Sequence, residues 1–506
     1  MHKRSTSTIS NLPFLDDISS SNFKFMREQS CSTTNSFVES RADHEKTAAA
    51  HQISMEEEEG DDSPKLHIVM MPWLAIGHAN PFFELSKRLA QMGHRVSFLS
   101  TPGILRRLPL LPPPLSQFVD LLPCPLPLTE NLPPSVESTL DLPSDDLRPI
   151  LMQAYSSSFE NHLADFLNDQ SRRKPDWIIY DIFSNGWVCD LAARRGVACA
   201  YFALINAAVM SILSRLDTPE KLMGVPDWIP FPTNVIFRPF EARKLLSDIP
   251  KEAATRSEGP WWGKCNFMAI RTCNEFEPEW LDLLRNLHDG LPIIPIGFLP
   301  PSSAGDDETC ESWLRMAGWL DRRDPGSVIF AAFGSEVQLT REQIEEIGRG
   351  LEQSGLPFVW ALRAGTVAAG FEERVRRRGM VVKEWVPQSR LLAHPSVGGF
   401  LTHGGWNSVV EGLSAGVALA VLPMQFEQGL NARHLVERGL AVEIVRDYED
   451  GSFSGDEIRR KLRMAMVGEE GEGFRRKGRG IFGNEKIEVH SLKELVKYML
   501  ENKISN

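Results

Sequence analysis

Residues 65–73, KLHIVMMPW, form a mostly apolar run of strand length, and a second one, RVSFLST, follows at residues 95–101. Between them, Phe82, Leu85, Leu89 and Met92 recur at helical spacing. Asn80 fits an N-cap there, Pro81 the first helical turn and Gly93 the close. Strand, helix and strand within so short a length make a βαβ unit. Its strands must be parallel, and helices must cover both faces of the sheet. The pattern continues with PDWIIYDIF at 175–183 and VACAYFAL at 197–204. After a polar stretch it restarts with SVIFAAFGSE, GLPFVWALR, GMVVKEWVP, VGGFLTHG and VALAVLP. A chain of 506 residues exceeds one ordinary core. The expected class is therefore α/β, with two Rossmann-like domains: residues 65–300 and 313–485, joined by a linker at 301–312 and closed by a helix at 486–506. A Pro-rich stretch after the first unit, LPLLPPPLSQFVDLLPCPLPLTENLPPS, is too broken for regular structure and is expected as a surface loop region.

Composition removes several function classes. Net charge is −12 with a pI near 5.6, which leaves no electrostatic footprint for nucleic acid. Half of that charge falls in residues 1–64, where 6 Lys+Arg face 12 Asp+Glu. That segment is rich in Ser, Thr and Asn, without apolar periodicity, and reads as a disordered extension lacking a secretory core. Seven cysteines, an odd number without a CxxC pair, suit reduced thiols in a cytoplasmic compartment. No metal framework and no D-x-D triad is visible. The uncharged run GVACAYFALINAAVMSIL at 196–213 reaches the lower length of a membrane span. It reads instead as a buried strand that breaks at Asn206 into a helix, so no membrane span is expected.

The densest chemistry lies between Trp385 and Gln428. VGGFLTHGGWNSVVEGLSAG reads as a strand, a glycine turn and a helix beginning near Ser408. Such a junction gathers free backbone N–H groups and the positive end of the helix dipole, a place suited to phosphate. His403, Asn407 and Ser408 add side-chain donors. Trp385 offers a flat face to a base, Gln388 a polar group, and Glu427 with Gln428 the acceptors that read sugar hydroxyls. Base, phosphate and sugar readers in one stretch describe a nucleotide-sugar site.

This stretch resembles the signature box of plant UDP-sugar-dependent glycosyltransferases, and the resemblance extends over roughly residues 65–503. It implies the inverting GT-B architecture, two Rossmann-like domains facing across a cleft, with the C-terminal helix crossing back onto the first domain. It places uracil on Trp385 and the backbone of Val386, ribose on Gln388 and Glu411, and diphosphate on His403, Asn407 and Ser408. The donor sugar falls to Trp406, Glu427 and Gln428. Gly404 departs from the pattern, where a Cys is usual, and little functional cost is expected from the loss of a small side chain. Met55 sits where members of the family commonly begin, and the polar C-terminus lacks the membrane tail of animal relatives. PWLAIGHANPFFELSKRLAQMGHRVSFLSTP and PDWIIYDIFSNGW are similar to the glycoside-extending branch, often labelled rhamnosyltransferase.

Transfer from a UDP-sugar needs a base for the acceptor hydroxyl and support for the departing diphosphate. His78, placed just before a helix start whose dipole would keep it neutral, suits the base, with Asp181 on its other ring nitrogen. The resemblance puts the family's His–Asp dyad there. Direct attack by the acceptor inverts the anomeric carbon. Other readings stay open at single residues. Ser408 and Glu411 also fit a capping box, Ser335 fits either a turn or a phosphate donor, and Trp385, Trp406, Trp261 and Trp262 also fit a core or pocket wall. The implied reaction moves a hexose to a small plant metabolite, a flavonoid or terpenoid glycoside, by a monomer without metal or cofactor other than the UDP-sugar co-substrate. Glu427 and Gln428 favour glucose, whereas the branch points to rhamnose. Transfer to an aglycone, a UDP-sugar-binding protein without turnover, and a UDP-sugar epimerase are the alternatives.

Overall fold

In the first half of the chain β1 (His67–Met71), β2 (Arg95–Ser100), β3 (Val119–Pro123), β4 (Trp177–Tyr180), β5 (Ala198–Ala203), β6 (Phe267–Ile270) and β7 (Ile293–Pro295) form one sheet. Its order is β3-β2-β1-β4-β5-β6-β7, parallel throughout. In the second half β8 (Val328–Ala332), β9 (Phe358–Ala361), β10 (Gly379–Val382), β11 (Val397–Thr402), β12 (Ala418–Val421) and β13 (Ala441–Glu443) form another parallel sheet, ordered β10-β9-β8-β11-β12-β13. The computed structural model describes residues 64–214, 224–248, 262–302 and 311–504. The expectations on the extension (1–64, apart from Pro64), on the linker over 303–310 and on Trp261 lie outside the described residues. Pro64–Asn506 form one compact unit.

Each sheet reverses its strand order once, between β1 and β4 and between β8 and β11. Such reversals open a crevice at the carboxyl ends of the strands, because the connecting helices leave to opposite faces. Met71 pairs with Tyr180 across the first reversal, so residues 72–78 and Asp181 leave the sheet side by side. Thr402 pairs with Ala332 across the second, which brings Ser335 and His403 out together.

Several elements differ from the sequence reading. The helix after β1 runs Ile76–Gln91 with Ala75 as N-cap, so Asn80 caps nothing and Pro81 lies inside it. A proline there withholds the N–H that would serve the carbonyl four residues back; that carbonyl belongs to Gly77 and takes a donor from elsewhere. The helix after β11 starts at Trp406 on Gly405, two residues before Ser408, which dismisses the capping box. The Pro-rich stretch contains an edge strand, β3, beside β2. Its burial alternates as one face turns to solvent, and Pro123 ends it where a missing N–H is tolerated. The 196–213 run is β5 followed by the helix Ala207–Leu213, with the Asn206 side chain accepting from the Val209 N–H at 2.9 Å. No helix among the described residues is long and apolar enough to cross a membrane.

Aromatic packing joins the two halves. Phe276 and Phe298 of the first half lie against Trp406 and Phe482 of the second, with Phe298 and Phe482 stacked at 3.9 Å. Burying each such ring contributes ~1.5–3 kcal/mol, so the seam holds the two crevices in fixed relation. The helix Glu485–Asn502 lies against the first sheet. Its Glu488 accepts from the N–H groups of Phe298 and Leu299 at 2.7 and 3.0 Å, and the carbonyl of Met499 accepts from the Trp177 indole at 3.0 Å.

Candidate active site

At the first crevice the Asp181 carboxylate is buried and takes three donors. They are His78 Nδ1 at 2.8 Å, Trp73 N at 3.0 Å and Ile182 N at 2.6 Å. A carboxylate can only accept, so Nδ1 carries the proton and Nε2 of the neutral ring is left as an acceptor. About a third of the His78 side chain (32%) stays exposed, beside Phe183, whose ring packs in turn on Trp73. His78 is the third residue of its helix rather than the residue before it. Burial lowers its pKa, but the charge and hydrogen bond of Asp181, with Glu336 and Glu427 of the second half, outweigh this and raise it above the usual histidine value. The carboxylate, and not the helix dipole, therefore decides the basicity of the ring. A terminus is worth ~0.3–1 kcal/mol, while a carboxylate in contact shifts a pKa by about 1–3 units.

At the second crevice His403 follows β11 and is treated in the opposite way. Burial holds its pKa down at about 4. Cβ atoms at Gly334 and Gly405 would stand 2.9 and 2.6 Å from its ring, so bare backbone on both sides seats the imidazole. Ser335 is exposed just past β8. The helix Trp406–Ala415 begins here, and its first N–H groups have no intrahelical acceptor. Gln388 donates to Glu411 at 2.8 Å and to the Ser408 hydroxyl at 3.3 Å, so the residues expected at ribose and phosphate adjoin. Trp385 is 64% exposed, with the Arg363 guanidinium 5.5 Å from its ring centre, while Val386 beside it is buried.

Three expected residues are placed differently. The Trp406 side chain is core: it is buried in the aromatic seam and donates to the carbonyl of Arg271 at 3.1 Å, so it faces no sugar. Gln428 is buried, and its amide oxygen already accepts from the N–H groups of Met424 and Gln425 at 2.9 and 3.0 Å. Only its NH₂ remains for a ligand, so it cannot both accept and donate. Asn407 accepts from Arg271 and donates to the carbonyl of Gly77 at 2.6 Å. Glu427 is half-buried, and burial raises its pKa despite the nearby His78. Phe426 before it has φ +52°, a left-handed backbone that costs of order 1–3 kcal/mol and turns the chain into the helix Gln428–Glu437.

The sequence reading missed Glu336 and Arg271. Glu336 accepts from Thr139 of the first half at 2.8 Å and adds negative potential at His78. Arg271 was open to notice, since a cation directly after the buried strand β6 has to find partners inside the fold. Among the described residues no group of three His, Cys, Asp or Glu could hold a metal ion.

Residues 318–449 match the family model described as UDP-glucoronosyl and UDP-glucosyl transferase. UDP-glycosyltransferase 91C1 of Arabidopsis thaliana is 40% identical over 450 residues, covering 86% of this chain and 96% of that protein. The chain belongs to the plant UDP-glycosyltransferase family. Within that family this glycosyltransferase is also similar to the soyasaponin III rhamnosyltransferase of Glycine max, 35% identical over 86% of this chain and 95% of that one. The crystal structure of Arabidopsis thaliana UGT89C1 complexed with UDP-L-rhamnose covers 87% of this glycosyltransferase and 100% of its own chain, at 28% identity and a TM-score of 0.67. The two parallel-sheet layers are the GT-B fold of the plant glycosyltransferases.

Proposed function

We propose that this enzyme transfers a hexose from a UDP-sugar to a hydroxyl of a small plant metabolite, a flavonoid or terpenoid glycoside, with inversion. The observation that carries the reading is the His78–Asp181 pair at one crevice, 2.8 Å apart, with carboxylates of the other crevice close enough to raise the His78 pKa. Nε2 of His78 takes the proton of the acceptor hydroxyl. The acceptor oxygen forms its bond to the anomeric carbon as the bond from that carbon to the UDP oxygen breaks. Asp181 stabilises the imidazolium, and UDP departs with both electrons of the broken bond.

His403, Ser335, Ser408 and the first N–H groups of the helix Trp406–Ala415 receive the diphosphate, where donors already in place support developing charge. This requires no divalent ion, so turnover should survive excess EDTA. Trp385 stacks on uracil, with the Val386 backbone beside it, and Gln388 with Glu411 holds the ribose. Glu427 accepts from sugar hydroxyls and the Gln428 NH₂ donates to one, which we assign to glucose. A second reading, rhamnose, is favoured by the likeness to a rhamnosyltransferase. The compartment we assign is the cytoplasm.

The test is a matrix of UDP-glucose and UDP-rhamnose against aglycones and their monoglucosides, with products resolved by mass and anomeric configuration. Glucose transfer to a monoglucoside supports the full proposal. Transfer from UDP-rhamnose alone overturns the donor assignment, and retention at the anomeric carbon overturns the mechanism.

A further inference from the structure

Arg271 is 2% exposed and enters no ion pair among the described residues. Its Nε and Nη2 donate to the carbonyl of Phe298 at 3.0 and 2.7 Å, and its Nη1 to Asn407 Oδ1. Burying a cation is costly, and an apolar side chain of similar volume would fill the same space without that cost. What the cation supplies is direction. A guanidinium only donates, so the atom of Asn407 that meets it must be the oxygen. The NH₂ of Asn407 is thereby turned toward Gly77, the residue before His78, and donates to its carbonyl at 2.6 Å. That carbonyl is open because Pro81, four residues on, has no N–H to offer it.

A line of bonded groups therefore crosses the molecule. The carboxylate of Glu488 holds the N–H groups of Phe298 and Leu299, with Leu299 at φ +52°. Phe298 holds Arg271, Arg271 fixes Asn407, and Asn407 grips the first turn of the helix that carries His78.

We propose that Arg271 is a positioning residue for the transfer: by fixing the amide of Asn407 it clamps the His78 helix to the start of the helix Trp406–Ala415. Base and sugar–phosphate bond are thus held at reaction distance. The inference rests on the glycosyl-transfer reading of the same site. Displacements of about 1 Å at a reacting centre cost on the order of 10²-fold in rate, so a loosened clamp shows in kcat before it shows in UDP binding.

The experiment uses the full chain with a donor and acceptor that the wild type turns over. Arg271→Met should lower kcat roughly 30-fold to 100-fold while the Kd for UDP changes less than about threefold. Hydrolysis of the UDP-sugar by water should rise relative to transfer. Arg271→Lys keeps the charge but cannot hold Phe298 and Asn407 together, so it should recover little. Arg271→Met combined with Asn407→Ala should be no slower than Asn407→Ala alone, because both changes open one clamp. Wild-type kcat in Arg271→Met overturns the proposal, as does a double variant that loses the product of the two single effects. If Arg271→Met does not fold, Pro81→Ala tests the same link, since it gives Gly77 an intrahelical donor in competition with Asn407. A severalfold lower kcat with no loss of Tm supports the clamp, and an unchanged kcat overturns it. A wild type without any transfer would instead strike the proposed function and leave the clamp a feature of the fold.

Discussion

His78 and His403 each lie past a central strand at the point where its sheet reverses order, His78 after β1 and His403 after β11. Their surroundings are opposite. His78 has a carboxylate at 2.8 Å and two more within electrostatic reach, and its pKa is raised. His403 is seated between glycine backbones, and burial depresses its pKa to about 4. One imidazole is built to accept a proton and be stabilised afterwards. The other stays neutral through the working range, suited to a fixed hydrogen bond beside a charged ligand. The strand topology makes both positions available, and the neighbouring side chains decide which chemistry each can do.

Of the two imidazoles, the base should be the one whose loss costs most. His78→Ala should lower kcat by roughly 10²–10⁴, the usual worth of a positioned base, with little change in the Kd for UDP. Stopped assays at saturating donor and calorimetry of UDP check it. Near-wild-type turnover would remove His78 from the proton transfer.

Asp181→Asn should cost less than His78→Ala, because the amide oxygen can still hold Nδ1–H. It should also move the pH profile. Catalysis needs neutral His78, so activity falls as pH drops through its pKa. Asp181 raises that pKa, and without the charge the pKa descends. The acidic limb of kcat/KM should shift to lower pH, and a shift to higher pH would contradict the assignment.

His403→Asn sharpens the contrast from the other side. The replacement removes a donor near the expected diphosphate, and losing a hydrogen bond to a charged partner is worth ~1.5–3 kcal/mol. UDP binding should weaken about tenfold or more. The acidic limb should stay where it is above pH 5, because a group with a pKa near 4 does not titrate there. If this variant moves the limb and the Asp181 variant does not, the two histidines have been assigned the wrong way round.

Much of this arrangement was legible in the sequence where a residue's position follows from its strand. His78, Asp181, Ser335 and His403 each come just after an apolar run, and parallel sheets collect such residues at one edge. Local signals that have two uses were misread. Pro81 suits a first turn, yet the helix begins at Ile76 because Ala75 is extended, and a partner from the other half compensates the proline. Ser408 looks like a cap, yet Gly405 begins that helix. Long-range pairings left no local trace. Nothing near Arg271 in the chain points to Asn407, 136 residues away, and nothing near Gln428 shows that its amide oxygen is already engaged.

Gly404 and Gly77, the neighbours of the two histidines, carry the smallest predicted effect. Gly77 lies inside a helix, and a Cβ there would meet only Asn407 Nδ2, at an ordinary 3.6 Å. Gly404 has φ +87°, and its Cβ would stand 2.6 Å from Val421 Cγ1 and 3.4 Å from the carbonyl of Gln428. Restoring the cysteine that the family pattern carries should therefore destabilise this chain, by about 1–3 kcal/mol for the backbone strain. The glycine answers to the geometry of this loop, so it is more than the loss of a small side chain. Gly77→Ala should be neutral or gain up to about 1 kcal/mol from helix propensity. Thermal melts of Gly404→Cys and Gly77→Ala in reducing buffer check the pair. A Gly404→Cys protein as stable as wild type would show that the loop relaxes against Val421, and the glycine would then answer less to the geometry of this loop than the distances imply.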